Sequence, residues 1–367
     1  MSSSSSRVLA IDPGSTSTKF GVYTRDGAEW VSEVRHSDAE LAPFRGQSAF
    51  AQREFRMAPL RNALKAAGYA PQSFAAVAGR GGLLPPMACG TYLVDDAMIE
   101  ELRQARRGEH PCNLGAVLAL EIARQAGVNA YIVDPVTVDE WQDCARLSGL
   151  PQIVRSPIGH ALNTKAVAKR FAQEERRRYE SLRLIVLHLG SGITVSAHCE
   201  GRMIDSNNSP EEGPFGPDRT GWLPVRQLIR LCFSGAYTEK QLDRMAFGEG
   251  GLFAYLGTRD LMEVERRIDA GDARAAQVFV AMAYQIAKEA GAMAAALQGK
   301  VDAMLFTGGM AHSQRLVNRL RESIEWIAPI RVYPGEDELQ ALAAGVFRVL
   351  DGEEPAKRMA GTASESR

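Results

Sequence analysis

Eight consecutive residues near the start of the chain, Asp12-Pro13-Gly14-Ser15-Thr16-Ser17-Thr18-Lys19, gather a carboxylate, a glycine, four hydroxyls and an ammonium. That set suits a polyphosphate. Backbone N–H groups and hydroxyls of a tight turn can cradle phosphate oxygens, and a lysine adds a point charge. Gly14, Ser15, Ser17, Thr18 and Lys19 are therefore candidate phosphate-binding residues. Asp12, at the end of an apolar run, is placed to hold Mg²⁺ directly or through water, because hard cations take oxygen ligands. The plain alternative is a polar hairpin. The string is not a Walker A loop: the Gly-Lys-Ser/Thr ending is missing, and a strand pattern rather than a helix follows.

A second turn, His188-Leu189-Gly190-Ser191-Gly192, has the same strand–turn–strand surroundings. It lacks the third glycine of a dinucleotide fingerprint and continues into β-branched residues, which disfavours a Rossmann reading. Gly190, Ser191 and Gly192 could grip the other side of a triphosphate, with His188 beside them. Phe306-Thr307-Gly308-Gly309-Met310 is a third glycine turn, where Gly308 and Gly309 would let the backbone approach a base or ribose. Arg80 and Arg219 sit among glycines, which suggests guanidiniums facing a cavity. A planar fork suits a carboxylate or a transferring phosphoryl group. Asp134 ends a strand and is followed by Pro135, the place where α/β folds put functional carboxylates. His160 opens a helix whose dipole favours a neutral imidazole or a bound anion. The run Glu174-Glu175-Arg176-Arg177-Arg178 reads as a solvated helix face.

The elements that must position these groups alternate in type. Strand–turn–strand patterns at Arg7 to Arg25 and Leu184 to Arg202 are about half a chain apart. Helical patterns follow at Asn113 to Ala126, Ala161 to Arg178 and Ala273 to Leu297, with strands at Ala130 to Val133 and Ala303 to Thr307. This predicts an α/β fold built from two duplicated domains with mixed sheets flanked by helices. The expected N-terminal domain is 7–135 plus a returning C-terminal helix at 339–352. The C-terminal nucleotide-binding domain is 136–338, and 1–6 and 353–367 are expected to be flexible tails. A length of 367 residues fits two domains.

Composition excludes several function classes. Forty-three basic residues against 44 acidic ones argue against nucleic acid as the main partner. No apolar run is long enough for a membrane span. Cys89, Cys112, Cys144, Cys199 and Cys232 are widely spaced, odd in number and without a CxxC pair, as expected of reduced thiols in a cytoplasm.

Longer strings carry a resemblance. Asp12 to Lys19, Gly79-Arg80-Gly81-Gly82-Leu83-Leu84, Gly108-Glu109-His110 with Asn113-Leu114-Gly115-Ala116, Val133-Asp134-Pro135-Val136 and His160-Ala161-Leu162-Asn163 resemble the butyrate kinase family. So do Leu231 to Gly235, Ala254 to Thr258 and Ala281 to Lys288. The likeness runs from Arg7 to Gly352 and is similar in kind to the acetate kinases of the actin/hexokinase-like superfamily, whose ribonuclease H-like domains flank a nucleotide cleft.

The resemblance implies ATP and Mg²⁺ as cofactors, with Asp12 and Glu338 serving the metal. It places Arg80 and Arg219 beside the travelling phosphoryl group and Asp134, His160 and His188 near it. It also implies a short-chain carboxylate substrate and a homodimer or higher homo-oligomer. A hydroxyl or sugar kinase with Asp134 as base, or an ATP-gated actin-like binding protein, are the alternatives. The chain departs from the family pattern at Asp12, where asparagine is usual, at Ser191 in place of glycine, at Gly159 in place of an aromatic, and in a loop Asn208 to Phe215 one residue short.

Overall fold

The structure, a computed structural model, describes residues 6–359; the remainder of the expected tails, 1–5 and 360–367, lies outside the described residues. The chain forms two compact units, one made of the residues through Val138 and from Asp337 onward, the other of Asp139–Glu336. Their strands are β1 (Arg7–Pro13), β2 (Ser17–Thr24), β3 (Gly27–Arg35), β4 (Phe74–Arg80), β5 (Thr91–Leu93) and β6 (Asn129–Val133) in the first unit. The second holds β7 (Arg183–Leu189), β8 (Ile193–Cys199), β9 (Arg202–Ser206), β10 (Ala303–Gly308) and β11 (Ile330–Pro334).

In the first unit the unbroken apolar run Val8-Leu9-Ala10-Ile11 is wholly buried, as a central strand covered on both faces must be. β2 returns antiparallel to β1 with Asp12 opposite Lys19. β3 alternates half-buried and exposed residues at the edge. On the other side β4 and then β6 run parallel, giving the order β3-β2-β1-β4-β6-β5. The second unit repeats this plan. An antiparallel meander β7-β8-β9 is joined on the far side of β7 by parallel β10 and β11, in the order β11-β10-β7-β8-β9. The expected duplicated α/β fold with mixed sheets is thus present, with β5 an antiparallel addition in the first copy.

Two of the helices on the first sheet set its packing near β4 and β1. Leu114–Ala126 approaches β4 so closely that a Cβ on Gly79 would lie 2.1 Å from the Gly115 carbonyl oxygen. Glu338–Leu350 brings the chain end back onto β1, and the Thr91 hydroxyl donates to the Gly345 carbonyl at 3.1 Å. The stretch from Glu353 to Met359, expected to be loose, is instead tied down. Lys357 exchanges backbone hydrogen bonds with Thr91 and Leu93 on β5, and Met359 packs against the core. A strand edge offers unpaired backbone groups, and this segment satisfies them.

The second unit has an unusual buried charge. Lys165, on the helix Ala161–Glu174, is fully buried and pairs with Glu140 at 2.7 Å, while its ammonium also donates to the Gly201 carbonyl. Beside it His198 is held between the Tyr179 and Ser196 hydroxyls, and burial pushes its pKa down to about 3, so it is neutral. Removing one partner of such a pair leaves a buried charge without compensation, at a cost of about 3–5 kcal/mol. Glu140→Ala is accordingly expected to lose about that much stability, read as a lower urea midpoint from tryptophan fluorescence; an unchanged midpoint would show that Lys165 finds another partner.

Candidate active site

In the first unit β1, β4 and the helix Glu338–Leu350 deliver Asp12, Arg80 and Glu338 to one place. Arg80 and Glu338 form an ion pair with both side chains largely buried. Asp12 is buried and shares a hydrogen bond with Glu338. Desolvation first, then the Glu338 charge, pushes the Asp12 carboxyl well above the usual carboxylate range, with Arg80 and Lys19 pulling the other way. Burial alone would lower the Arg80 pKa, but Glu338 and Asp12 together hold it above its ordinary value. Glu338 occupies the first turn of its helix, where the dipole favours a negative charge, and Asp337 caps the same turn through the Gln340 N–H.

The glycines around Arg80 have a different cause from the one expected. They do not open a cavity. Gly79 is pressed on Gly115, a Cβ on Gly81 would lie 2.5 Å from Pro135, and one on Gly82 would lie 2.5 Å from the Asn113 side chain. Three segments converge at van der Waals contact, and the guanidinium they deliver is buried. Cys112 lies against this cluster, and burial pushes its thiol up to about 12.

The Asp12–Lys19 hairpin presents Ser15 and Lys19 to solvent. Gly14 N–H donates to the Ser17 carbonyl at 2.8 Å, closing the turn, and the Ser17 hydroxyl donates to Glu33. Thr18 corrects the expectation. The strand's alternation turns it inward, where its hydroxyl accepts from Arg56 at 2.9 Å and meets His36 Nε2 at 3.0 Å, so it faces the core rather than a ligand. Asp134 is buried with φ of +39°, a left-handed conformation that aspartate tolerates better than most residues. Its Oδ1 accepts the Gly90 N–H at 2.7 Å, and its own N–H donates to the Gly90 carbonyl. That carboxylate braces a loop.

In the second unit His188, on β7 at the position matching Asp12 on β1, stacks on His160 with ring centres 3.7 Å apart. His188 Nδ1 bonds to Asn163 Oδ1 at 2.9 Å, and its Nε2 lies 3.2 Å from Glu336. His160, preceding the helix Ala161–Glu174, bonds through Nδ1 to the Thr194 hydroxyl at 2.9 Å. A Cβ on Gly190 would lie 2.9 Å from both His188 and Glu336, so a larger residue would have to displace their side chains.

Arg219 lies directly on Gly192, donates to Ser209, and stands 4.4 Å from the centre of the Phe247 ring. Burial lowers its pKa and the nearby Asp218 raises it, yet no carboxylate forms an ion pair with it among the described residues. Ser191 is exposed at the hairpin tip. Gly308, with φ of +90°, is required by the Leu189 backbone at 2.4 Å from a hypothetical Cβ, whereas Gly309 faces open space. Asn163, Thr194, Glu336 and Ser209 were not anticipated from the sequence, although Asn163 stands in the first turn of the helix that His160 precedes.

Comparison with known proteins bears on this geometry. The acetokinase family model matches residues 153–328. A probable butyrate kinase of Clostridium botulinum (strain Alaska E43 / Type E3) is 47% identical over 352 residues, covering 96% of this chain and 99% of that protein. One from Listeria monocytogenes serotype 4b (strain CLIP80459) is 46% identical over 351 residues, covering 95% and 98%. The chain belongs to the acetokinase family, with the butyrate kinases. The acetate kinase of Porphyromonas gingivalis has the same fold, with a TM-score of 0.76 at 20% identity over 94% of this chain and 100% of that one.

Membership makes this acetokinase-family chain an ATP-using phosphotransferase with a carboxyl acceptor, and the hydroxyl-kinase and actin-like binding alternatives are not favoured. The buried Asp12 carboxyl and the largely buried Glu338 beside it also fit a divalent cation. Among the described residues no group of three or more His, Cys, Asp and Glu side chains is placed to hold one, so further ligands would come from phosphate and water.

Asp12 supplies a pH test. Its raised folded pKa means that the folded chain binds this proton more tightly than the unfolded chain does. The contribution is fully present below the unfolded value of about 3.9 and is lost as pH rises through the folded value. In metal-free buffer Asp12→Asn is expected to melt above the unsubstituted protein at pH 8, by about 2–4 °C per kcal/mol recovered, with the difference shrinking toward pH 4. A pH-independent difference would show that Asp12 is already ionised.

Proposed function

We propose that this chain transfers the γ-phosphoryl group of ATP reversibly to a short-chain carboxylate, butyrate or a branched analogue, giving an acyl phosphate and ADP. The observation that carries the reading is the 47% identity to a probable butyrate kinase over almost the whole chain, joined to a guanidinium, Arg219, that lies on the Gly190–Gly192 hairpin and forms no ion pair with a carboxylate among the described residues. An acceptor oxygen of the carboxylate forms the new P–O bond while the bond from phosphorus to the β-phosphate bridging oxygen breaks and ADP leaves. A carboxylate is ionised at neutral pH, so no general base is required. Catalysis then reduces to alignment and charge stabilisation.

In this reading Ser15, Ser17, Lys19 and the backbone around Gly14 hold phosphate oxygens, as do Gly190, Ser191 and Gly192, while Gly308 and Gly309 adjoin the adenosine. Asp12 and Glu338 would hold Mg²⁺, which when bound neutralises phosphate charge. Arg219 takes the equatorial oxygens of the transferring group, and Arg80 keeps Glu338 in place. His160 and His188 form a rigid stacked wall, and Asp134 sets the Gly90 loop rather than acting as a base. At Gly159, just before His160, a Cβ would lie 3.2 Å from the Thr194 hydroxyl, a tight contact.

No helix among the described residues is long and apolar enough to cross a membrane, and we take the enzyme to be cytoplasmic. A homodimer would cover the exposed Trp222, Val225, Ile229 and Phe233 along and beside the helix Val225–Cys232.

Trapping of the acyl phosphate as its hydroxamate, with acetate, propionate, butyrate, isobutyrate and longer acids offered in turn, tests reaction and substrate together. Butyrate or isobutyrate is expected to give the highest kcat/KM; a preference for acetate would overturn the substrate assignment. In the same assay Arg219→Ala is expected to lower kcat by about 10³-fold or more with little change in KM for ATP. Retention of kcat removes Arg219 from the transfer.

A further inference from the structure

The helix Arg53–Ala66 buries one stripe, Met57, Leu60 and Leu64, and Arg56 lies within it at 1% exposure. A guanidinium in that position would ordinarily be matched by a carboxylate. Among the described residues none pairs with it. Its hydrogen bonds go to Gln52 Oε1 at 2.9 Å, the Ser17 carbonyl at 3.0 Å, the Thr18 hydroxyl at 2.9 Å and the Ser15 carbonyl at 3.4 Å. Three of these four partners belong to the Gly14–Lys19 hairpin. The neighbouring His36 takes the rest of the loop, its N–H donating to the Thr16 carbonyl at 2.8 Å. All three carbonyl oxygens of Ser15, Thr16 and Ser17 are therefore engaged from beneath.

We infer that Arg56 is the positioning residue of the phosphate loop, turning its carbonyls inward and placing an uncompensated positive charge under the site where phosphate binds. The inference rests on the reading of this hairpin as a phosphate site. A loop that faces an anion must show N–H and hydroxyl donors, because a carbonyl oxygen pointed at phosphate repels it. Arg56 removes the carbonyls from that face. Its fork does so with several donors in one plane, which an ammonium cannot reproduce. A buried cation is unfavourable without a counter-charge, and an arriving polyphosphate supplies one from the opposite side of the loop. Two further features agree. Burial lowers the Arg56 pKa to about 10, which leaves it charged at neutral pH. Desolvation and then the Arg56 charge lower the pKa of His36, which keeps that ring neutral beside it. No residue of the loop itself needs to be charged for the effect.

The test compares the full chain with Arg56→Met and Arg56→Lys, using ATP with Mg²⁺ and, separately, adenosine as probes by calorimetry and steady-state kinetics. The Met variant is expected to raise the KM and Kd for ATP at least about tenfold while leaving adenosine binding unchanged, with Lys falling between Met and Arg. A residue with a merely structural part would lower the melting temperature and leave the ATP affinity of the folded protein, and the ratio of ATP to adenosine affinity, as they were; that result overturns the inference. Should the Met variant fail to fold, the Lys variant decides alone, an unchanged KM for ATP counting against the inference and a raised one for it. If the unsubstituted protein binds adenosine but gains nothing from the triphosphate, the hairpin is not a phosphate site and the inference falls with that reading.

Discussion

The arrangement of the first unit depends on one buried ion pair, Arg80 with Glu338, and on the Asp12 carboxyl crowded against it. These residues come from the end of β4, the start of the last long helix and the end of β1, and they are separated by up to 326 positions in the chain. Charges taken out of water must find partners of good geometry or they destabilise the fold. The backbone around them is accordingly packed to contact: glycines at 79, 81, 82 and 115 let a strand, a helix and a loop close on the guanidinium. The cluster still holds two carboxyl groups to one buried cation; desolvation first and this excess of acid second push the Asp12 carboxyl up. A further positive charge, such as the divalent metal proposed above, would relieve it.

The second unit repeats the sheet but not the chemistry. Where β1 ends in a carboxylate, β7 carries an imidazole; His188 meets Glu336 as Asp12 meets Glu338, although those two glutamates are only two residues apart and belong to different units. The duplication conserves backbone positions, and the side chains have diverged into an acidic set in one copy and a stacked histidine pair with a guanidinium in the other. Arg219 lies on Gly192 with hydrogen-bond and ring contacts and, among the described residues, no ion-paired acid, and Arg56 is the buried counterpart in the first copy. Cations held in this way keep most of their charge available to an anion, which a surface salt bridge would not.

Much of this was legible in the sequence because it resides in local patterns. The hairpins around Gly14 and Gly190 announce themselves as apolar runs broken by glycine and hydroxyls, and the long helices begin within a residue or two of where periodicity puts them. What was not legible comes from tertiary contact. Thr18 looked equivalent to Ser15 and Ser17, but the alternation of a strand sends it to the opposite face. The glycines flanking Arg80 read as open space and are instead a consequence of crowding. Asp134 read as a functional carboxylate at a strand end and is held in a left-handed turn by Gly90. The last described residues, polar in composition, bind a sheet edge through their backbone, which composition does not reveal. Arg56 left a trace: a charge inside the apolar stripe of a helix.

The claim on which the rest stands is that the Asp12–Glu338 pair accepts a divalent cation together with nucleotide. Electron paramagnetic resonance of Mn²⁺ titrated into the protein with ADP measures this directly. Glu338→Gln is expected to weaken Mn²⁺ binding at least about tenfold while ADP binding without metal is retained. Unchanged Mn²⁺ affinity in that variant would contradict the account.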